Sequence, residues 1–518
     1  MGVWRHMALV GSLAVGCGGP LPEESLQEGE RPQAGSPAEA GDGELTAQWG
    51  SPALGTARLV KDIFPQQDVP AWFGPFPESL VEFRGKLYFA ANFNDGRREL
   101  WKSDGTLAGT VPIKRFPPFP GSSFSSMREL TPLGSKLFFV VSDEAHGREL
   151  WVSDGTTGGT HLVKDITPGA GDSNPNSLRV VGSTLLFFTS TLATPTTPEH
   201  TELWKSDGTE AGTVRVKDLG ADTSVGNALL VVNDTLYFNF TEPAHGSELW
   251  KTDGTDAGTQ LVKDINPGPD SSFPFELRAV GSDVFFTATE PAHGNELWRS
   301  DGTSAGTELI ADVTPGPDSN FIRVLEPIGN CLYFSTSDPS TRRARLYKLK
   351  DATGDAHVKL VTTLPNPFSQ PNVDGTILQS VVANGKLYFE LAFFGFGPAP
   401  VDSQLWVSDG TSSGTKLLHR PLSLNDEFGS TMFALDDRVL FSGFDSATSL
   451  ELWVTNGTVK DTRLLQDIAP GPNASYPRSF TRVGSKVFFV ANDAVHGNEL
   501  WVLPLLNSQQ GANETAGE

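Results

Sequence analysis

The chain has 518 residues, of which 38% are hydrophobic, and a formal net charge of −23. A nucleic-acid partner requires a basic protein face, so a chain this acidic is not expected to bind nucleic acid. Only two cysteines are present, Cys17 and Cys331, which excludes a disulfide-rich framework and a cysteine-based metal site.

The N-terminus carries the features of an export signal. A short apolar run, Met7 to Val15, is too short to span a bilayer as a mature helix. It leads into Leu13-Ala14-Val15-Gly16-Cys17, which resembles the lipobox of bacterial lipoproteins. The resemblance implies a signal peptide over residues 1–16, cleavage before Cys17 and a lipid on that cysteine. The alternative is an ordinary signal peptide that happens to contain a cysteine.

Two segments without apolar periodicity flank the central part of the chain. Residues 17–56 are rich in Gly, Pro, Glu, Ser and Ala, and we expect a flexible tether there. Residues 507–518 have a similar composition and are expected to be disordered. Together with Cys17, these features predict an exported lipoprotein of the cell envelope, at the outer membrane or cell surface. The lipid would make the membrane itself a partner.

Residues 57–506 consist of one repeated pattern, best seen in RELWVSDGTTGGTHLVKDITPG from Arg148 to Gly169. Its tryptophan recurs eight times, and Tyr347 occupies the ninth place, at spacings of 46 to 59 residues. A period of this length indicates a stacked or ring-shaped repeat architecture. The tryptophans are Trp101, Trp151, Trp204, Trp250, Trp298, Trp406, Trp453 and Trp501.

The second copy predicts four short strands joined by turns. They are Leu130 to Leu133, Lys136 to Ser142, Glu149 to Ser153 and Thr160 to Ile166. The second strand, KLFFVVS, is apolar at consecutive positions, which indicates burial on both faces. Four antiparallel strands in each of many repeats are typical of a β-propeller blade. The sequence therefore predicts an all-β propeller with about nine blades.

The two ends of the array predict how the ring closes. The ninth copy has three strands and lacks the fourth, whereas Ala57 to Ile63, ARLVKDI, is a fourth strand without a blade. Pairing of this strand with the last blade would remove two exposed sheet edges. Two smaller rings are the alternative, but no linker divides the copies.

The motif resembles the ELWxxDGT repeat proteins of bacteria. The resemblance covers roughly residues 57–503. The sixth copy departs from the pattern with Tyr347, the seventh has Gln404 instead of Glu, and the eighth has Asn456-Gly457-Thr458. The resemblance implies a repeat architecture and frequent export, and no established activity.

One aspartate recurs at the start of the Asp-Gly-Thr hairpins. We interpret it as a structural turn residue that accepts backbone N–H bonds. Calcium binding is the alternative, because Ca²⁺ prefers carboxylate oxygens, although one carboxylate per blade is too sparse for a dedicated cage. No other cofactor is predicted. The residues are Asp104, Asp154, Asp207, Asp253, Asp301 and Asp409.

Four histidines recur before a glycine in the loop between the second and third strands: His146, His245, His293 and His496. They are candidate ligand contacts. A transition-metal role is an alternative, since this loop shares a face with the Asp-Ser pairs of the blade connections. A turn role is the other, because glycine supplies positive φ. The repeated Glu of the ELW motif is interpreted as structural, because catalysis needs a unique pair of acids.

The seventh copy carries an insertion, Leu391 to Pro400, where other copies have a short turn. Loops that depart from a repeat often carry function, so Phe393, Phe394 and Phe396 are further candidate ligand contacts. The leading hypothesis is a surface-anchored, non-enzymatic binding or scaffold protein for a protein or polysaccharide ligand. The alternative is a polysaccharide-active enzyme on a propeller scaffold.

Overall fold

The computed structural model describes residues 51–65, 77–118, 127–191, 198–313, 315–317, 321–338, 340–350, 352, 357–370, 372–395, 400–422 and 431–506. The predicted signal peptide, Cys17, most of the tether and the 507–518 tail lie outside these residues. Regular structure in the described part is entirely β, as predicted. No helix there is long and apolar enough to cross a membrane.

Nine antiparallel sheets follow one another along the chain, and each begins with its first strand at one edge. This arrangement confirms the predicted β-propeller of about nine blades. Two short N-terminal strands, β1 (Ala53–Leu54) and β2 (Arg58–Lys61), precede the first complete blade.

In blades one to five the strands are β3 (Pro77–Phe83), β4 (Lys86–Asn92), β5 (Arg98–Ser103), β6 (Val111–Phe116); β7 (Arg128–Leu133), β8 (Lys136–Asp143), β9 (Gly147–Ser153), β10 (His161–Leu162); β11 (Asn176–Val181), β12 (Thr184–Thr191), β13 (His200–Ser206), β14 (Val214–Ala221); β15 (Ser224–Val232), β16 (Thr235–Glu242), β17 (Gly246–Thr252), β18 (Gln260–Lys263); β19 (Phe275–Val280), β20 (Asp283–Glu290), β21 (Gly294–Ser300) and β22 (Glu308–Ala311).

In blades six to nine they are β23 (Ile322–Ile328), β24 (Cys331–Asp338), β25 (Arg343–Lys350), β26 (His357–Thr363); β27 (Asp374–Ala383), β28 (Lys386–Phe394), β29 (Pro400–Ser408), β30 (Lys416–His419); β31 (Met432–Leu435), β32 (Arg438–Asp445), β33 (Ser449–Thr455), β34 (Arg463–Gln466); β35 (Arg478–Val483), β36 (Lys486–Asn492) and β37 (Asn498–Leu506).

The blades form a single ring. First strands of neighbouring blades pack beside each other from β3 round to β31, and they are the innermost strands. Blades eight and nine meet through Phe433 and Phe480, whose ring centroids are 5.9 Å apart. The last innermost strand, β35, packs beside the first, β3. This contact excludes two smaller rings.

The N-terminal strands complete the ninth blade, as the sequence predicted. Strand β2 pairs with β37 in antiparallel register, with Leu59 opposite Trp501. Strand β1 pairs further along β37, with Ala53 opposite Leu506. The predicted orphan strand is therefore supplemented by an earlier one, and together they occupy the outer edge of the ninth blade.

The second strand of each blade is buried on both faces, and blade two shows why. Phe138 packs towards blade three, with Leu185 and Phe187. Its neighbour Phe139 packs towards blade one, with Tyr88. Both phenylalanines are fully buried, and burial of such a side chain stabilises by about 1.5–3 kcal/mol. Consecutive apolar residues thus join three blades.

In eight of the nine blades the innermost strand carries a β-bulge or register irregularity that the sequence did not predict. In blade two the register shifts between Arg128 and Thr131, and Glu129 lies at the bulge with φ of +60°. The Glu129 carboxylate accepts the N–H groups of Ser177 (3.0 Å) and Leu178 (2.7 Å) in the next blade. The bulge therefore turns a glutamate into a link between neighbouring inner strands.

The insertion of the seventh copy differs from the loop that was expected. Leu391 to Phe394 continue β28, paired with β27. Phe393 is 0% exposed and packs against Phe368 at 5.3 Å, so it is a core residue and not an exposed ligand contact. Phe394 is half-buried at the end of the strand. Phe396 lies outside the described residues.

Candidate functional site

The aspartate of each Asp-Gly-Thr hairpin accepts hydrogen bonds from the threonine of the same turn. In blade two, Asp154 Oδ1 accepts the N–H (2.8 Å) and the hydroxyl (2.7 Å) of Thr156. These bonds lower the pKa of Asp154, with the hydroxyl bond as the largest cause. A side chain at Gly159 would collide with that carboxylate, at 2.1 Å. The same bonds recur at Asp104, Asp207, Asp253, Asp301 and Asp409.

The four predicted histidines are held by an acid three residues earlier. His146 Nδ1 lies 3.0 Å from Asp143, and the His146 N–H also donates to that carboxylate at 2.7 Å. The bond to Asp143 raises the pKa of His146. The same pairing joins His496 to Asp493, at 2.6 Å, and joins the other two histidines to glutamates. The structure thus places each of these histidines in a pair that closes its own loop.

The ELW glutamate of blade two fastens the connection to the next blade. Glu149 accepts the hydroxyl of Ser173 (2.6 Å) and the N–H of Thr167 (3.2 Å). Burial raises the pKa of Glu149 to about 7. Glu248 and Glu451 make equivalent bonds, to Ser272 (2.5 Å) and Ser475 (2.6 Å). These repeated internal bonds give the glutamates the structural role that the sequence predicted.

Blade three departs from this pattern because its fourth strand is longer. Strand β14 runs to Ala221, which pairs with His200 at the start of β13. The sequence there is KDLGADTS, without the Pro-Gly of KDITPG in the second copy and KDINPG in the fourth. No serine of a blade connection contacts Glu202 within the described part of the chain. Its side chain is 20% exposed, compared with full burial of Glu149.

The side chains of His200, Glu202 and Asp218 lie close together at this altered part of blade three. His200 Nε2 lies 3.0 Å from Asp218 Oδ1. Glu202 accepts a hydrogen bond from the indole N–H of Trp204 at 2.9 Å, and it forms an ion pair with Arg215. One ligand atom from each of His200, Glu202 and Asp218 lies within 4.8 Å of the other two. Among the described residues, these three side chains form the one group of three potential metal ligands. The group contains none of the four predicted histidines.

The cluster is open to solvent at one side. The side chains of His200 and Asp218 are 36% and 47% exposed. Arg215, 49% exposed, contacts both Glu202 and Asp218 and partly neutralises them. An imidazole nitrogen and two carboxylates are ligands that suit divalent transition metals. The arrangement can hold such an ion if the exposed guanidinium moves aside.

Sequence reasoning missed this cluster, although a signal was present. Other copies have glycine two residues before the ELW glutamate, as at Gly147, Gly246 and Gly294. The third copy has His200 in that place, together with the altered connection. Both differences fall in one blade, but only the register of β13 against β14 brings them together.

No protein-family model matches the chain, and no curated protein matches it. Similar solved structures include a prolyl endopeptidase, with 10% identity, a TM-score of 0.41, and coverage of 81% of this chain and 55% of that chain. A puromycin hydrolase has 13% identity, a TM-score of 0.37, and coverage of 82% and 60%. The acylaminoacyl peptidase of Pyrococcus horikoshii has 12% identity, a TM-score of 0.35, and coverage of 84% and 59%.

The chain therefore spans little more than half the length of these hydrolases. These three similar propellers belong to hydrolases, so the hypothesis of a non-enzymatic binding or scaffold protein and its polysaccharide-active alternative find no support among them. We correct both and take neither further. At these identities the likeness concerns the fold, and it supplies no argument that this chain is itself a peptidase.

Proposed function

We propose that the third blade binds a divalent transition-metal ion through His200, Glu202 and Asp218. The observation that carries the proposal is the approach of their ligand atoms to within 4.8 Å. Support comes also from the place of the cluster, since it lies where the blade departs from an otherwise regular repeat. Three protein ligands leave a coordination position open for water or a substrate oxygen. A metal bound in this way polarises that oxygen.

Arg215 gives the proposal a distinctive consequence. Its guanidinium contacts the same two carboxylates that would ligate the metal. Metal and guanidinium therefore compete for these oxygens. Because Arg215 is exposed, its displacement costs little, as expected of a surface ion pair. Removal of the guanidinium should strengthen metal binding, whereas a purely structural ion-pair network would gain no metal affinity from it.

The test is calorimetric titration of the chelator-treated protein with Zn²⁺ and, separately, Mn²⁺. We expect one site in the wild type, at least tenfold tighter binding in Arg215→Ala, and loss of the site in His200→Ala. His146→Ala is the matched control, because it removes a histidine from an acid pair of the same face. Equal titrations for the wild type, His200→Ala and Arg215→Ala would contradict the proposal.

We also propose that the chain is exported and anchored by a lipid on Cys17. The sequence Leu13 to Cys17 supports this, and so does the acidic, Gly- and Pro-rich stretch that follows. The resemblance to ELWxxDGT repeat proteins is consistent with export. Binding of calcium by the Asp-Gly-Thr hairpins remains a weaker proposal, since their carboxylate oxygens already accept bonds from the turn.

A further inference from the structure

Two arginines lie close together in blade two, on either side of β8. Arg128 begins the innermost strand β7, opposite Val140 of β8. Arg148 lies in β9, opposite Ser142 of β8. Arg148 is only 7% exposed. Burial lowers the pKa of Arg148, and the charge of Arg128 lowers it further. The two guanidinium groups thus repel each other in a poorly hydrated setting.

Their surroundings neutralise them only in part, through the charge of Asp172 near Arg148. Among the residues that the structure describes, neither arginine forms an ion pair with a carboxylate, and the Nε atom of each is buried without a hydrogen-bond partner. Arg148 donates once, from Nη1 to Asn174 Oδ1 at 3.3 Å. The Asp172 carboxylate accepts the backbone N–H of Arg148 at 2.7 Å, and its charge opposes the lowering of the Arg148 pKa without forming an ion pair with the guanidinium. Most of the guanidinium donors therefore remain unused.

In two other blades the side chains at the same two positions are partners of each other. In blade one they hold Glu78 and Arg98, opposite charges that attract each other. In blade nine they hold Arg478 and Asn498, joined by a bond of 3.0 Å.

Blade two thus has like charges where its two counterparts have an acid–base pair or an arginine–amide pair. Burial of Arg148 beside a second positive charge is costly, because removal of a charge from water is offset only by suitable partners. An anion bound between the two guanidinium groups would offset this repulsion.

We propose that Arg128 and Arg148 bind an oxyanion, the carboxylate or phosphate group of a small molecule, with Asn174 fixing one guanidinium. Arginine offers planar, paired donors that match both groups. Asn174 is itself held by its side-chain N–H bond to the Ser190 carbonyl, at 3.3 Å. The site is separate from the metal cluster of blade three and uses different residues, so either proposal can fail alone.

The test uses the full chain and two variants that copy pairs already present in other blades. Arg128→Glu installs the acid–arginine pair of blade one, and Arg148→Asn installs the arginine–asparagine pair of blade nine. Both should fold. Inorganic phosphate and succinate are the probes, in calorimetry and in thermal unfolding at constant ionic strength.

We expect at least one probe to bind the wild type and raise its melting temperature. Arg148→Asn should bind that probe with an affinity reduced about tenfold or more, because a charge-assisted pair of hydrogen bonds is lost. Arg128→Glu should melt higher than the wild type without any probe and should not respond to either. Response to phosphate alone or succinate alone supports the site and identifies the oxyanion. Absence of any response in the wild type, or equal responses in all three proteins, overturns the proposal.

Discussion

Glu499 Oε1 accepts the backbone N–H of Phe64 at 2.6 Å, across 435 positions of the chain. The bond ties the N-terminal segment to the last blade, at the seam of the ring. Elsewhere the equivalent glutamate holds the connection that leaves its own blade, as Glu149 does with Thr167. At the seam the residues that follow β2 form this connection, because β2 is an outer strand of the ninth blade.

The seam should make stability depend on pH through Glu499. Burial raises the pKa of Glu499 to about 8, so the folded chain binds this proton more tightly than the unfolded chain. The resulting stabilisation is fully present below about pH 4.5 and is lost as pH rises towards 8. We expect Glu499→Gln, which stays neutral, to unfold with a flatter pH dependence between pH 5 and 9.

Urea unfolding at pH 5, 7 and 9 measures this dependence. The difference between wild type and variant isolates Glu499, because Glu149 and Glu451, each with a pKa of about 7, contribute equally to both proteins. Parallel curves for the two proteins would show that Glu499 is not protonated in the fold.

A second prediction concerns Gln466, which clamps the incoming strand. Its side chain accepts the N–H of Ala57 (2.7 Å) and donates to the carbonyl of the same residue (2.9 Å). Gln466→Ala removes both bonds from a part-buried backbone group, and we expect a loss of about 1–3 kcal/mol in the free energy of unfolding. Gln260→Ala, at an exposed strand start, is the control and should change it by less than about 0.5 kcal/mol.

Deletion of residues 51–64 tests the same closure more severely. It removes β1, β2 and the partner of Glu499, and it leaves β37 as an open edge. We expect aggregation or loss of a single cooperative transition in calorimetry. A truncated protein that melts like the intact one would mean that the other eight blades hold the ninth without it.

A third prediction concerns the anchor. Cys17→Ser should abolish incorporation of a labelled fatty acid and move the protein from the membrane fraction to a soluble one. Unchanged labelling of the Cys17 variant would leave an ordinary signal peptide as the explanation.

The fold was predictable because its causes are local and repeated. Phe138 and Phe139 are adjacent apolar residues, and only burial between two blades accommodates both. The vacancy in the ninth copy and the unpaired ARLVKDI segment complement each other in the sequence itself. The bulge at Glu129 was not predictable, because its φ of +60° depends on contacts with the neighbouring blade.

The candidate sites were less predictable because they depend on pairing between strands. His200 and Asp218 are far from adjacent in sequence, and only the extended β14 brings them to 3.0 Å. Phe393 resembled an exposed aromatic, since the length of β28 could not be inferred from LAFFGFGPAP. The arginine pair of blade two is visible only when the register of three blades is compared.

The last prediction concerns the Asp-Gly-Thr hairpins, where the chain supplies its own control. The eighth copy has Asn456, whose Oδ1 accepts the N–H of Thr458 at 3.1 Å, while the Thr458 hydroxyl donates to Asp461. An amide oxygen therefore supports this turn. Asp154→Asn should keep the N–H bond and lose little, whereas Asp154→Ala removes the acceptor and should cost about 1 kcal/mol.

Melting both variants with calcium and with a chelator decides between the two interpretations of these aspartates. If Asp154 acts only within its turn, chelation leaves the wild-type melting temperature unchanged, and the Ala variant melts lower to the same extent with or without calcium. If the hairpins bind calcium, chelation lowers the wild-type value and both variants lose part of that response, because a neutral amide is a weaker calcium ligand than the carboxylate it replaces. The Asp154→Asn variant distinguishes the turn role from the calcium role, because it keeps the turn acceptor but not the negative charge.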